Sequence, residues 1–180
     1  MDYDKILLAV KEEIVKEGLD CMMQSLEDSQ QKNLLIYTGE DPAHRMRLIQ
    51  IKVQTKETNP LSKGPKREEL ACFQFDAFFP FTVEDLSLEE VAQFLHFLNL
   101  QVEIPGFYLN HLDNTILYRY VLLSEGERIP YKTILALVGM AMLFQDVFSQ
   151  TLERLAMGKV SFCGLMEEVQ ETLLKVPDRK

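Results

Sequence analysis

The chain has 180 residues, 47% hydrophobic and 26% charged, with a formal net charge of −9. Such a length and composition fit one globular domain with its own core and exclude a mainly disordered chain. The acidic balance argues against nucleic acid as a main partner, because duplex binding needs Lys and Arg to neutralise phosphates. It also favours solubility and repels anionic membranes.

In chain order, Asp2 to about Ser29 reads as helix. Ile6, Val10 and Ile14 form a stripe beside Leu7, and the pattern resumes after Gly18 with Leu19, Met22, Met23 and Leu26. Gly inside a helix costs about 1 kcal/mol relative to Ala, so Gly18 marks a kink or break. Met22 and Met23 are expected as core filler. Asn33 to Thr38 is a short apolar strand that ends at the turn signal Gly39-Glu40-Asp41-Pro42. From His44 to Thr55, Ile49, Ile51 and Val53 alternate with Gln50, Lys52 and Gln54, which predicts a strand with one wet face. The parity slips near Leu48, and a bulge would absorb it.

Lys56 to Glu68 is polar, holds Pro60, Gly64 and Pro65, and reads as a mobile loop. Leu70 to Phe79 is a Phe-rich strand that Pro80 ends. Ser87 and Glu90 stand at capping-box spacing before Val91, Phe94, Leu95 and Leu98, a helix to about Leu100. Pro105-Gly106 stops it. Phe107-Tyr108-Leu109 and Thr115 to Leu123 then flank Asp113-Asn114 as a hairpin. Gly126 and Pro130 mark the next boundary. Tyr131 to Met157 is a long helix, apolar nearly all round from Ile134 to Phe144, so burial on more than one side is expected. Gly158 caps it. Ser161 opens a last helix with Phe162, Leu165, Met166, Val169 and Leu173 inward, and Val176 to Lys180 should fray.

The fold class this order predicts is α+β: a twisted antiparallel sheet with helices packed on one face, in the order α-β-β-β-α-β-β-α-α. Residues 1–180 form a single domain, with residues 159–180 as a helical appendage. Met1 to Val10 is charged from residue 2 and lacks the apolar stretch of a signal peptide. The longest apolar run, Ile134 to Phe144, has eleven residues, against about twenty for a bilayer span. Three scattered cysteines, Cys21, Cys72 and Cys163, suit a reducing compartment and not a disulfide framework. The expectation is a soluble cytoplasmic protein without membrane insertion.

Reactive spacing is missing from the sequence. His44, His96 and His111 form no metal motif, with His96 expected at the border of the core and His111 exposed. Cys163, in the first turn of a helix, is the best nucleophile candidate, but Phe162 and Leu165 beside it predict burial. Gly158-Lys159-Val160-Ser161 lacks the upstream Gly of a phosphate loop and reads as a helix cap. Glu12-Glu13, Glu89-Glu90 and Glu167-Glu168 are sequence neighbours that point apart on a helix. No catalytic residue, metal site or cofactor is therefore expected.

Binding features are stronger. Arg45 to Arg67 holds seven basic residues and one acidic, which makes either a positive edge for an acidic partner or simply a solvated strand and loop. On the last strand Ile116, Tyr118, Tyr120 and Leu122 share one face, while Leu117, Arg119, Val121 and Leu123 share the other. Both faces are largely apolar, where a strand covered on one side would alternate more cleanly. Either another protein or a terminal helix covers the second face. The expected partner-binding residues are Phe107, Tyr108, Tyr118, Tyr120, Leu122 and Phe144.

Asn33-Leu34-Leu35-Ile36, Phe97-Leu98-Asn99, Pro105-Gly106-Phe107-Tyr108-Leu109 and Leu117-Tyr118-Arg119-Tyr120, in this order of elements, resemble the YbjN-like family, which looks like the type III secretion chaperone fold. The similarity covers about Leu34 to Gly158 and is densest between Phe75 and Leu123. The resemblance implies a small acidic bacterial protein, a homodimer that holds an extended segment of a secreted effector along apolar patches. This chain departs from the pattern in its helix after Gly158 and in a first helix without tidy leucine spacing. The function expected is non-enzymatic protein binding. One alternative is a small-ligand binder or enzyme with a scattered polar site lined by Arg119, His111 and Tyr108. The other is a structural homodimer subunit.

Overall fold

The first helix, α1 (Tyr3–Lys16), buries Ile6, Leu7, Val10 and Ile14 and stops short of Gly18. Gly18 adopts φ +83°, a left-handed conformation that strains any residue with a Cβ. The chain then leaves as a strand, β1 (Cys21–Ser25), where the sequence predicts more helix. Met22 is accordingly exposed on this edge strand and fills no core. Helical spacing of Leu19, Met22 and Met23 is local, whereas pairing of Cys21 with Ile36 and Met23 with Leu34 is tertiary and prevails. Leu26 and Ser29 lie outside the described residues. The computed structural model describes residues 3–25, 32–58, 68–125 and 129–174.

After β1 come β2 (Lys32–Glu40), β3 (Met46–Thr58), β4 (Glu68–Thr82), a short 3₁₀ turn (Asp85–Ser87), α2 (Leu88–Gln101), β5 (Phe107–Asn110), β6 (Thr115–Glu125), α3 (Tyr131–Ala156) and α4 (Phe162–Leu174). One six-stranded antiparallel sheet has the order β1-β2-β3-β4-β6-β5. With four helices and a sheet on which helices pack, the fold is α+β, as the element pattern predicts. Most of the predicted loop from Lys56 to Glu68 lies outside the described residues, as do Gly126 and the last residues from Val176. The chain divides into two compact units, Met1–Pro80 with Tyr118–Asp146, and Phe81–Leu117 with Val147–Lys180.

In the first unit, cross-strand register sorts side chains by face. Leu34 pairs with Ile51 and Ile36 with Ile49. Ile49 pairs with Ala77, Ile51 with Phe75 and Val53 with Phe73. All of these are buried. Partners in an antiparallel pair point the same way, so these residues make one continuous apolar face. Both helices of this unit lie on it. Lys32, on the same face as Leu34, bonds Asp4 of α1 at 2.5 Å. The thiol of Cys21, paired with Ile36, donates to the Lys11 carbonyl at 3.8 Å. Burial pushes the Cys21 pKa up against the opposing Lys11 charge. Tyr118 meets Phe144 of α3 edge-on with ring centroids 4.9 Å apart. The buried Gln145 side chain hydrogen-bonds Thr38 and donates to the Phe78 carbonyl.

By length and composition α3 is also apolar enough to cross a membrane. Here Ile134, Leu137, Val138, Ala141 and Gln145 bury one side in the protein, while Leu143 is exposed. The expected burial on more than one side is therefore not realised at Leu143.

The slip near Leu48 is absorbed on the neighbouring strand. Tyr37 pairs with Leu48 but Glu40 with Met46, so the extra residue sits in β2. The β2–β3 turn is organised by Asp41. Its Oδ1 accepts from the backbone of Ala43 and Arg45, both at 2.9 Å, and its Oδ2 accepts from Arg45 Nε at 2.6 Å. Strand β4 runs through Pro80, because its ladder to β3 ends at Leu48–Phe78 and the missing N–H breaks no bond there.

In the second unit the hairpin and the caps hold the helices. Asn114 takes φ +55° in the β5–β6 turn, and Asp113 Oδ1 accepts from Thr115 Oγ1 at 2.6 Å. The Asn99 side chain accepts from Gly106 and Phe107 N–H and donates to the Phe107 carbonyl, which fixes the exit from α2. The predicted capping box does not close. Ser87 makes no side-chain cap bond, and Glu90 Oε2 instead accepts the Phe162 N–H at 2.5 Å, at the start of α4. Ser161 supports the same turn by accepting the Gly164 N–H at 3.1 Å. Gly158 ends α3 at φ +61° as expected, and a Cβ there would stand 3.3 Å from Ser87 Oγ. In α4 Leu165 is buried, but Val169, expected inward, is exposed.

Candidate partner-binding face

The first unit's sheet has a second face, opposite α1 and the first half of α3. Gln50, Lys52 and Gln54 of β3 lie on it, with Gln74, Asp76 and Phe78 of β4 as their register partners or neighbours. Arg119, Val121 and Leu123 continue it on β6. At its centre Asp76 is only 1% exposed. A buried carboxylate is costly unless its oxygens are satisfied. Here Oδ1 accepts from Arg119 Nε at 2.6 Å, and Oδ2 accepts from Arg119 Nη2 at 3.0 Å and Gln74 Nε2 at 2.7 Å. Lys52 Nζ stands 3.9 Å away, close enough for charge attraction but beyond a hydrogen bond. Two cations thus stand around one carboxylate.

Asn33 lies beside the cluster, paired with Lys52. Its side chain is buried, and among the described residues neither Nδ2 nor Oδ1 has a hydrogen-bond partner. Leaving such groups unsatisfied costs about 1–3 kcal/mol.

The β6 part of the face is apolar and open. Val121 is 45% and Leu123 54% exposed. Strand β5 has four residues against eleven in β6. Four residues ladder with only about four, so β6 is much longer than a full pairing with β5 requires.

The expected binding residues divide. Phe107 is buried, edge-on to Phe148 at 5.5 Å. Tyr118 is buried against Phe144, and burial, with Tyr120 adding to it, pushes its phenol up to about 12. Of the expected residues, Phe107, Tyr118 and the half-buried Phe144 are thus taken up in ring packing, each within its own unit. Tyr120 and Leu122 are half-buried, and Tyr108 is exposed on β5. Of the proposed polar lining, Arg119 is engaged with Asp76, while His111 is exposed in the β5–β6 turn. Val121 and Leu123 were legible only as members of a strand apolar on both faces. The buried state of Asp76 had no sequence signal.

Three residues of the basic stretch are engaged within the molecule. Arg45 pairs with Asp41, Arg47 with Asp146 and Lys52 with Asp76. Among the described residues no group of three His, Cys, Asp or Glu is placed to hold a metal ion. His96 is exposed and does not border the core. Cys163, expected buried, is exposed in the first turn of α4. The reason is that Leu165, not Cys163, falls on the helix face turned inward. Comparison with protein-family models finds no match for this chain, and neither does comparison with curated proteins.

Proposed function

We propose that this is a non-enzymatic, chaperone-like protein that holds an extended segment of a partner protein along the second half of β6. One observation carries it: β6 outruns β5 while Val121 and Leu123 stand exposed on the face that α1 and α3 leave open. A partner strand would add its backbone bonds to that edge, and its alternate side chains would meet Val121 and Leu123. The half-buried Tyr120 and Leu122 would support the strand from the other side. The resemblance to secretion chaperones adds a homodimer in a bacterial cytoplasm as the working form.

The test is affinity capture from cells, comparing the wild-type chain with a Val121→Asp/Leu123→Asp variant of unchanged circular dichroism. A protein recovered repeatedly with wild type and lost with the variant is the expected result. Equal recovery with both, or none with wild type, would overturn it. The Asn33 amide beside Lys52 favours one other reading, a small polar ligand at this face. A thermal-shift screen separates the two, since a ligand of the native state raises the melting temperature by mass action.

A further inference from the structure

The second unit has a tip whose two outermost side chains take no part in its core. Leu86 in the 3₁₀ turn is 98% exposed and Leu112 in the β5–β6 turn 96%, whereas no other large apolar side chain among the described residues exceeds 69%. One exposed leucine means little, but these two stand on turns bonded to each other. Asn114 Nδ2 donates to Asp85 Oδ1 at 2.8 Å, and the Val83 N–H donates to the Asn114 carbonyl at 2.8 Å. The Glu84 N–H donates to the Ala156 carbonyl at 2.9 Å, which ties the 3₁₀ turn to the end of α3. Val83 and Ser87, on either side of Leu86, are buried. The backbone is thus held in place while both leucines stand in water. A segment ordered in advance loses little freedom on docking.

Charge around the leucines sets the chemistry of the partner. Glu84, Asp85, Glu89 and Asp113 are exposed beside them, and no Lys or Arg occurs from Thr82 to Phe94 or from Tyr108 to Tyr118. Lys159, after the Gly158 cap that approaches Ser87, is one cation against these four acids. We propose that this tip is a docking knob, whose Leu86 and Leu112 enter an apolar pocket rimmed by Lys or Arg on another protein. Burial of the two leucines supplies the apolar contribution. The acids meet the basic rim, which fixes orientation and speeds encounter. A second copy would set acids against acids, and an anionic bilayer would repel them. The knob lies within the second unit and does not depend on partner binding at β6.

The test places a photoreactive diazirine analogue of leucine at position 86 or at position 112 of the full chain, in cells that express it naturally. Both positions should crosslink to the same protein. Mass spectrometry should place each adduct among apolar residues flanked by Lys or Arg. Leu86→Ser should lower the yield from position 112 about tenfold, and Leu112→Ser the yield from position 86 equally. Glu84→Lys should lower both yields. These side chains face solvent, so the melting temperature should stay unchanged. If a leucine variant unfolds, Glu84→Lys carries the test. Adducts to lipid, to a second copy of this chain or to an acidic surface would overturn the proposal. So would different proteins from the two positions, no adduct at all, or yields indifferent to Glu84→Lys.

Discussion

Arg119 grips Asp76 with two nitrogens, Nε on Oδ1 at 2.6 Å and Nη2 on Oδ2 at 3.0 Å, across 43 residues of sequence. The pair is lopsided in solvent: the Asp76 side chain is 1% exposed and that of Arg119 39%. Removing the arginine takes the two-nitrogen clamp from a buried charge, whereas removing the aspartate leaves a cation that water can reach. Arg119→Ala should therefore cost about 3 kcal/mol, and Asp76→Ala should cost less. Urea unfolding of both variants measures the order. An equal or reversed order would show that the arginine's other contacts dominate.

Asn33 presents the opposite case, a buried amide without a hydrogen-bond partner among the described residues. Replacing an unsatisfied polar group by an apolar one of similar shape removes its desolvation penalty. Asn33→Leu should stabilise the fold by about 1 kcal/mol and raise the melting temperature by a few degrees. A clear fall in melting temperature would mean that the amide bonds something in solution.

The β2–β3 turn should register acid. Burial alone would push the Asp41 carboxyl up, but hydrogen bonds from the Arg45 backbone, the Arg45 side chain and the Ala43 backbone outweigh it and hold the carboxyl below its ordinary value. A depressed folded pKa contributes stability that is complete above the unfolded value, about 3.9, and is lost as pH falls through the folded one. The stability gap between wild type and Asp41→Asn should be constant from about pH 7 to 5 and close below about pH 4. Denaturant titrations at stepped pH provide the check, and a gap that persists in acid would contradict it.

Glu90 should matter to a helix it does not belong to. Its carboxylate accepts the Phe162 N–H, so Glu90→Ala should cost about 1 kcal/mol, as loss of an N-cap does. Hydrogen exchange should quicken at the start of α4 and change little within α2. Faster exchange confined to the first turn of α2 would restore the predicted capping box.

How far the sequence speaks depends on the range of each interaction. The wet face of β3, the hairpin about Asp113-Asn114, the Gly158 cap and the α+β class all follow from spacing within a few residues, because strand and helix periods fix which side chains share a face. Cys21 to Ser25 keep a helical spacing, yet pair with β2 as a strand. Capping-box spacing brings Ser87 and Glu90 together, yet Glu90 bonds a residue 72 positions away. The expected binding aromatics Phe107 and Tyr118 are apolar enough for a surface patch, yet each is buried edge-on to a ring of α3.

The one-dimensional chain thus settled the order and kind of most elements, since these depend on local backbone and side-chain period. Only the folded arrangement decided which charges neutralise one another, which side of β6 stays open and which leucines stand in water. Those outcomes depend on strand register and helix placement, which bring together residues too distant in sequence to leave a local trace.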